Sequence, residues 1–156
     1  MIQPAHSIFA YIVLAILFFA SVNAISGVVS KRVFKAKDLR ISLFALILSH
    51  FQILIGLVLY FVSPIGLDAA GNMKDAALRL TSIEHPLMNI IAIALITIGW
   101  SKHKKEESNN GKFKKIALFY TLGLILILAR LPWANWFKFY EYVFKMFYYH
   151  NSKLYL

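Results

Sequence analysis

The sequence predicts an all-α protein: a bundle of four transmembrane helices, with a short helix on its outer face and an aromatic interfacial helix at its C-terminus. Of the 156 residues, 60% are hydrophobic and 15% are charged, whereas a soluble domain is about half apolar and about a quarter charged. Four apolar stretches occur, at residues 7–29, 41–62, 86–100 and 116–131. A helix needs about 20 residues to cross the hydrocarbon core. We therefore predict a transmembrane domain over residues 1–133 and an interfacial tail over 134–156.

The four spans differ in how well they meet this length. The first two qualify outright. The first is predicted to be a retained helix rather than a signal peptide, because residues 1–6 contain no Lys or Arg. The third and fourth spans need a few flanking residues, and the third begins at Pro86 or extends upstream of it.

Two segments lie outside the predicted bundle. Residues 71–84 are predicted to form a short helix, whose apolar stripe comprises Met73, Ala76, Ala77 and Leu80. The tail is rich in Trp, Tyr and Phe with spaced lysines, a composition that suits the headgroup region of a bilayer. A groove on a partner subunit is the competing interpretation of the tail.

Positive charge is concentrated in two loops. The formal net charge is +10, and 11 of the 17 Lys and Arg residues fall within residues 31–40 and 102–115, between successive spans. The positive-inside rule places these loops in the cytoplasm and both termini outside, which we expect of a multi-pass protein in a bacterial inner membrane. The same distribution, without a recognition motif or a separate basic domain, argues against nucleic acid as a partner.

Composition excludes several kinds of chemistry. The chain has no cysteine, so it forms no disulfide, no thiolate-ligated metal site and no covalent c-type haem attachment. It has no glycine-rich phosphate loop and no His-Glu-x-x-His motif. The four spans contain no carboxylate, which argues against a carboxylate-based proton or sodium path.

Small and weakly polar residues form a stripe along the second span. Ser42, Ser49, Gly56 and Ser63 recur every seven residues, and small residues let helix backbones approach closely in lipid. We interpret this stripe as a packing surface rather than as the lining of a ligand site. His50 lies at its edge.

Three histidines are the candidates for a functional site. His50 lies within the second span, whereas His6 and His85 lie at the edges of the first and third spans, on the predicted outer side. An ionisable side chain at membrane depth generally has a partner or a task, and imidazole is a common ligand of haem iron. His103 and His150 fall in a loop and in the tail, and no role is predicted for them.

Each of these histidines also has a purely structural interpretation. His50 could be a neutral imidazole that is hydrogen-bonded to Asn23, Asn89 or Thr97 on a neighbouring helix. His6 and His85 stand where a side chain near the interface is often simply hydrated. Residue types alone leave these alternatives open.

A b-type haem needs two imidazoles about 4 Å apart across the iron, normally from different helices. At 1.5 Å per residue, His50 lies roughly 18 Å below the outer end of the second helix, whereas His85 lies near the outer end of the third. Pairing them therefore requires helix tilt or an outward extension of the third helix. Arg130 is a candidate partner for a haem propionate, with an ion pair to Glu84 or snorkelling to the surface as the alternatives.

Several short motifs spread over residues 5–133 carry a family resemblance. They are Ala5-His6-Ser7, Lys31-Arg32, Phe34, Lys37-Asp38, Ser49-His50-Phe51-Gln52, Tyr60-Phe61-Val62-Ser63-Pro64, Met73-Lys74-Asp75-Ala76, Glu84-His85-Pro86-Leu87-Met88 and Pro132-Trp133. With these motifs the chain resembles a small family of bacterial four-helix membrane proteins labelled cytochrome b or cytochrome b-like. The resemblance implies haem b as the cofactor, with His50 and His85 as the first ligand candidates and His6 as the third.

The sequence thus predicts an integral membrane b-type haem protein or subunit that transfers electrons within a larger membrane assembly. Its expected partners are the lipid bilayer, other membrane subunits and a quinone. The alternative is a cofactor-free accessory subunit that docks onto a larger membrane complex through its polar stripe and aromatic tail. Either role favours a subunit over a stand-alone enzyme.

Overall fold

The computed structural model describes residues 2–134, and within this part of the chain every regular element is helical. The predicted interfacial tail, residues 134–156, lies outside the described residues except for residue 134. In chain order the elements are α1 (Ile2–Val29), α2 (Ala36–Val62), a 3₁₀ turn (Leu67–Ala69), α3 (Ala76–Arg79), a π-helical turn (Leu80–Glu84), α4 (His85–Lys104) and α5 (Asn109–Ala129).

Three of the helices are long and apolar enough to cross a membrane: Ile2–Val29, Ala36–Val62 and Ala76–Lys104, the last comprising α3, the π-helical turn and α4. Helix α5 has 21 residues. Every stretch of 18 residues within it contains Lys112, Lys114 and Lys115, whereas each of the other three has an apolar stretch of 18 residues with at most two charged ones. The structure therefore supports a membrane protein with three spanning helices.

The third long helix begins at Ala76, which corrects the prediction of a separate short helix over residues 71–84. Asp75 starts it, because its carboxylate accepts hydrogen bonds from the Ala77 and Leu78 amides at 2.9 and 3.0 Å. Pro86 does not break the helix. In the wide turn before it, the His85 amide donates to the Leu80 carbonyl. In a regular α-helix a proline ring collides with the carbonyl four residues earlier, and the wide turn moves that part of the backbone away.

The core of the bundle lies where α1, α4 and α5 meet. Its fully buried large side chains are Leu17, Ile96, Phe113, Ile116 and Tyr120. Ser42, Ala45 and Ser49 of α2 are buried as well, which confirms that this part of the predicted stripe is a packing surface. The Tyr120 hydroxyl donates a hydrogen bond of 2.9 Å to the Ser42 carbonyl, joining α5 to α2.

The opposite faces of the same helices are apolar and uncovered. Phe19 of α1 and Phe61 of α2 are 64% and 67% exposed, and further large hydrophobic residues are exposed along every long helix. Such a surface is unfavourable in water and favourable against lipid. The exposed faces therefore support burial of the bundle in a bilayer.

At the end of the bundle with the lysine-rich loops, a buried carboxylate joins α1 to α2. Asp38 is 0% exposed and accepts hydrogen bonds from Arg32 Nη1 at 2.8 Å, Asn23 Nδ2 at 2.9 Å and the Lys35 amide at 2.8 Å. Arg32 also donates to Asn23 Oδ1 at 2.8 Å and lies 4.5 Å from the centre of the Phe113 ring. The hydrogen bond to Asp38 raises the pKa of the Arg32 guanidinium, against an opposing effect of partial burial.

Close packing of α1 on α5 requires Gly27, because a Cβ at this position would overlap ring carbons of the fully buried Phe113. We expect Gly27→Leu to lower the free energy of unfolding by about 1–3 kcal/mol, as overpacking usually does. The matched control is Gly71→Leu, since a Cβ there meets nothing within 4 Å. Circular dichroism during titration of the detergent-solubilised protein with SDS measures both. Equal unfolding midpoints for the two variants would contradict the packing argument.

Candidate functional site

At the other end of the bundle, three helices come together at what we call the histidine cluster. It comprises His6 of α1, Gln52 and Gly56 of α2, and His85 of α4. Helices α1 and α4 begin at this end, and α2 and α5 finish there. The prediction that His6 and His85 lie on the same side of the membrane agrees with this arrangement.

The imidazole rings of His6 and His85 are neighbours in an edge-to-face arrangement. Their centroids are 6.4 Å apart and their planes are nearly perpendicular, at 86°. A metal ion lies about 2.0 Å from a ligating imidazole nitrogen, and the ring centre is about 1.2 Å further away, so two imidazoles on opposite sides of one ion have centroids about 6.4 Å apart. The observed spacing is therefore compatible with two ligands of a single metal, and it is also that of an ordinary ring pair.

His85 is held by the end of α5. Its Nδ1 lies 2.9 Å from the Arg130 carbonyl, which is at the C-cap of α5 and, like the other last carbonyls of a helix, has no partner within the helix. Nδ1–H donates to this oxygen, so Nε2 keeps its lone pair. Metal-ligating histidines almost always have this second hydrogen bond, which fixes the ring and makes the ligating nitrogen more basic. Asn89 donates at 2.6 Å to the His85 carbonyl and so supports the same turn.

His6 is held by α2. Gln52 Nε2 donates to the His6 carbonyl at 3.0 Å and lies 3.2 Å from His6 Nδ1. One turn further along α2, a Cβ on Gly56 would lie only 3.1 Å from His6 Cε1. Gly56 thus leaves the room that the ring occupies. Within the described part of the chain Gln52 Oε1 is buried without a hydrogen-bond partner, so one acceptor next to His6 is still unused.

The rim of the histidine cluster is charged. Glu84 forms ion pairs with Arg79 at 3.0 Å and with Arg130 at 3.4 Å, so the three side chains together carry one positive charge. The ion pair with Glu84 is one of the two alternatives that the sequence left open for Arg130. Arg79 also donates to the Met73 carbonyl at 2.8 Å, which ties the preceding loop to the rim.

His50 lies apart from the cluster. Its Nδ1 is 2.8 Å from the Leu46 carbonyl, and its Nε2 is 3.3 Å from Thr97 Oγ1. Thr97 is three turns beyond His85 on α4, about 18 Å along the helix axis. His50 and His85 are therefore too far apart in depth to bind one iron, and the structure does not bring this sequence-predicted pair together. Thr97 is one of the hydrogen-bond partners that the structural interpretation proposed for His50.

A shallow groove runs beside His50. Its volume is about 320 Å³, and it is lined by Leu46, Ile47, His50, Phe51 and Leu54, all on α2. Since one helix supplies all five side chains, the groove is a crease on the lipid-facing surface. The other two histidines lie elsewhere. His103 is buried at the lysine-rich end, with Nδ1 2.5 Å from the Trp100 carbonyl, and His150 is outside the described residues.

Sequence reasoning missed the residues that orient His6 and His85. Gln52 and Gly56 are four residues apart on α2, and the seven-residue stripe that contains Gly56 was the available signal for them. The Arg130 carbonyl could not be found in this way, since any residue at that position would present one.

The imidazoles of His6 and His85 suit a metal ion whose other coordination positions are filled by a cofactor. Among residues 2–134 no group of three or more metal-ligating side chains occurs, whereas two imidazoles from different helices are neighbours. A porphyrin supplies four nitrogens and leaves two axial positions for such a pair. No protein-family model, curated protein or solved structure matches the chain.

Proposed function

We propose that the protein is an integral membrane b-type haem protein that transfers electrons, with His6 and His85 as the axial ligands. The observation that carries this proposal is the 6.4 Å spacing of the two rings. The ligand pair differs from the pair implied by the family resemblance, because His50 is separated in depth from His85 and its Nε2 lies next to Thr97 Oγ1 instead.

The residues around the pair have distinct tasks in this proposal. The hydrogen bond to the Arg130 carbonyl keeps the proton of His85 on Nδ1, so that Nε2, which lies 3.5 Å from Asn89 Nδ2, keeps its lone pair. Gln52 and Gly56 fix the position of His6. The net positive charge of Arg79, Arg130 and Glu84 suits a ligand that carries carboxylates. A bound haem would supply reversible one-electron chemistry, at a potential set by its axial ligands, nearby hydrogen bonds and burial.

The proposal includes a bundle of four spans, with α5 as the fourth. The three lysines at the start of α5 would reach the headgroups at one interface while their apolar stems remain in contact with the helices. The lysine-rich loops would face the cytoplasm of a bacterium, and the histidine cluster would lie towards the outer face. An electron partner would then approach the haem from that face, and a quinone in the lipid would reach the groove beside His50.

The reduced-minus-oxidised absorbance spectrum of the purified full chain tests the proposal. The protein is expressed with a haem precursor in the medium and purified in mild detergent. We expect a Soret band and a single α-band of the b type, with about one non-covalent haem per chain by extraction. A helical, monodisperse protein with no Soret band would contradict the proposal, and the accessory-subunit alternative would then stand.

A further inference from the structure

A second cavity lies at the lysine-rich end, where the start of α2, the end of α4 and the first turn of α5 converge. Its volume is about 340 Å³. Its lining combines apolar and cationic side chains, notably Phe34, Lys35, Leu39, His103, Lys104 and Lys112. We call it the basic pocket. It lies far from the histidine cluster, at the opposite end of the bundle.

The aromatic walls of the basic pocket are held in place. The Phe34 amide donates to Asn109 Oδ1 at 2.9 Å, which ties the loop before α2 to the start of α5. The Phe34 ring lies 4.9 Å from the Phe113 ring and 5.9 Å from the His103 ring, measured between centroids. The aromatic part of the pocket is thus fixed by contacts within the bundle, and Lys35 and Lys104 are exposed at its edge.

The positive charge of the pocket is uncompensated by carboxylates. The ion pairs formed within residues 2–134 use Asp38, Glu84 and Glu106 as their acidic partners, and none of them includes Lys35, Lys104 or Lys112. Lys104 Nζ lies 5.0 Å from the centre of the Trp100 ring, a contact that leaves its charge in place.

The combination of charge and apolar surface defines the ligand. Three ammonium groups attract a phosphate, and Phe34 and Leu39 offer contact to hydrocarbon next to it. We propose that the basic pocket binds the phosphate headgroup of an anionic phospholipid, with the acyl chains continuing along the exposed apolar faces. Anionic lipids concentrate at the membrane face where basic loops lie, and pockets of this kind between helices bind them. The proposal does not depend on haem binding.

Native mass spectrometry of the full chain in detergent micelles tests it with phosphatidylglycerol as the probe and phosphatidylcholine as the neutral reference. The pocket variant is Lys35→Gln/Lys104→Gln/Lys112→Gln. The matched control is Lys37→Gln/Lys102→Gln/Lys114→Gln, which removes the same charge from exposed lysines outside the pocket. We expect the pocket variant to bind phosphatidylglycerol at least about tenfold more weakly than the native chain, and the control to stay within about twofold of it.

Equal weakening in both triple variants would overturn the proposal, because it would show general attraction to a basic surface. No preference of the native chain for phosphatidylglycerol over phosphatidylcholine would also overturn it. Displacement of the lipid by an equal concentration of inorganic phosphate would identify a free-phosphate site instead. Circular dichroism checks that the variants fold. If the triple pocket variant does not, the single change Lys112→Gln is expected to weaken binding about threefold with no change on Lys114→Gln, and equal binding by these two variants would overturn the proposal.

Discussion

Replacement of His85 by alanine is expected to remove the b-type α-band completely, whereas replacement of His50 by alanine is expected to leave it unchanged. His85 combines two properties expected of a residue that would hold a haem iron: a neighbouring imidazole on another helix and a second hydrogen bond from Nδ1. Its Nε2 has only a long contact, 3.5 Å from Asn89 Nδ2. His50 lies about three helical turns deeper, with its Nε2 3.3 Å from Thr97 Oγ1. The two variants remove the same chemical group, so the comparison isolates its position.

The measurement is the reduced-minus-oxidised spectrum of each purified variant, normalised to protein. His6→Ala is expected to behave like His85→Ala, and free imidazole in the buffer is expected to restore part of the band in both by replacing the missing ligand. Rescue would separate ligation from a structural role. Loss of the band in His50→Ala together with its retention in His85→Ala would show that the ligand assignment is wrong.

Replacement of Asp38 by alanine is expected to lower the free energy of unfolding by about 1–3 kcal/mol, the cost of leaving buried hydrogen-bond donors without their acceptor. The change leaves Arg32 and Asn23 without their shared acceptor at the junction of α1 and α2. It also removes the carboxylate that accepts from the Lys35 amide at the start of α2. Thermal or SDS-induced unfolding in detergent, followed by circular dichroism, measures the loss.

Asp68→Ala is the matched control, because Asp68 is exposed on the 3₁₀ turn and surface changes usually stay within about 0.5 kcal/mol. A double variant, Asp38→Ala/Arg32→Met, should recover part of the lost stability, since it no longer leaves a half-buried guanidinium without its acceptor. If Asp38→Ala and Asp68→Ala unfold at the same midpoint, the buried carboxylate does not hold the α1–α2 junction.

The sequence located the apolar helices well because lipid acts on hydropathy directly, but it placed their ends less well. Helix α2 begins at Ala36 rather than at residue 41, since its first turn is polar and is stabilised by Asp38 instead of by lipid. The third long helix begins at Ala76 because Asp75 caps it. Its passage through Pro86 depends on a wide turn, and hydropathy carries no signal for that turn.

The sequence predicted that His6 and His85 lie at the same end of the bundle, which the structure shows, but it did not predict that their rings are neighbours. The alternation of charge between successive loops predicted that His6 and His85 lie on the same side. The number of residues along α2 predicted the depth of His50. Whether two rings meet depends on the rotation of each helix about its axis, which Gln52, Gly56 and the Arg130 carbonyl help to set. The Asp38 junction was also unforeseen, although Asp38 is the only acidic residue within the basic segment 31–40.

The π-helical turn at Leu80–Glu84 has a consequence for the angular register of the third long helix. A π-helical turn holds one more residue than the α-helical turn it replaces, and each residue of an α-helix turns the chain by about 100°. A chain one residue shorter in this segment could therefore continue as a regular helix, with His85 still aimed at His6. Removal of one residue between His85 and Thr97 would instead rotate His85 about the helix axis by about a quarter of a circle, away from His6. The wide turn thus allows the number of residues between Arg79 and His85 to change without changing the direction in which the His85 ring points.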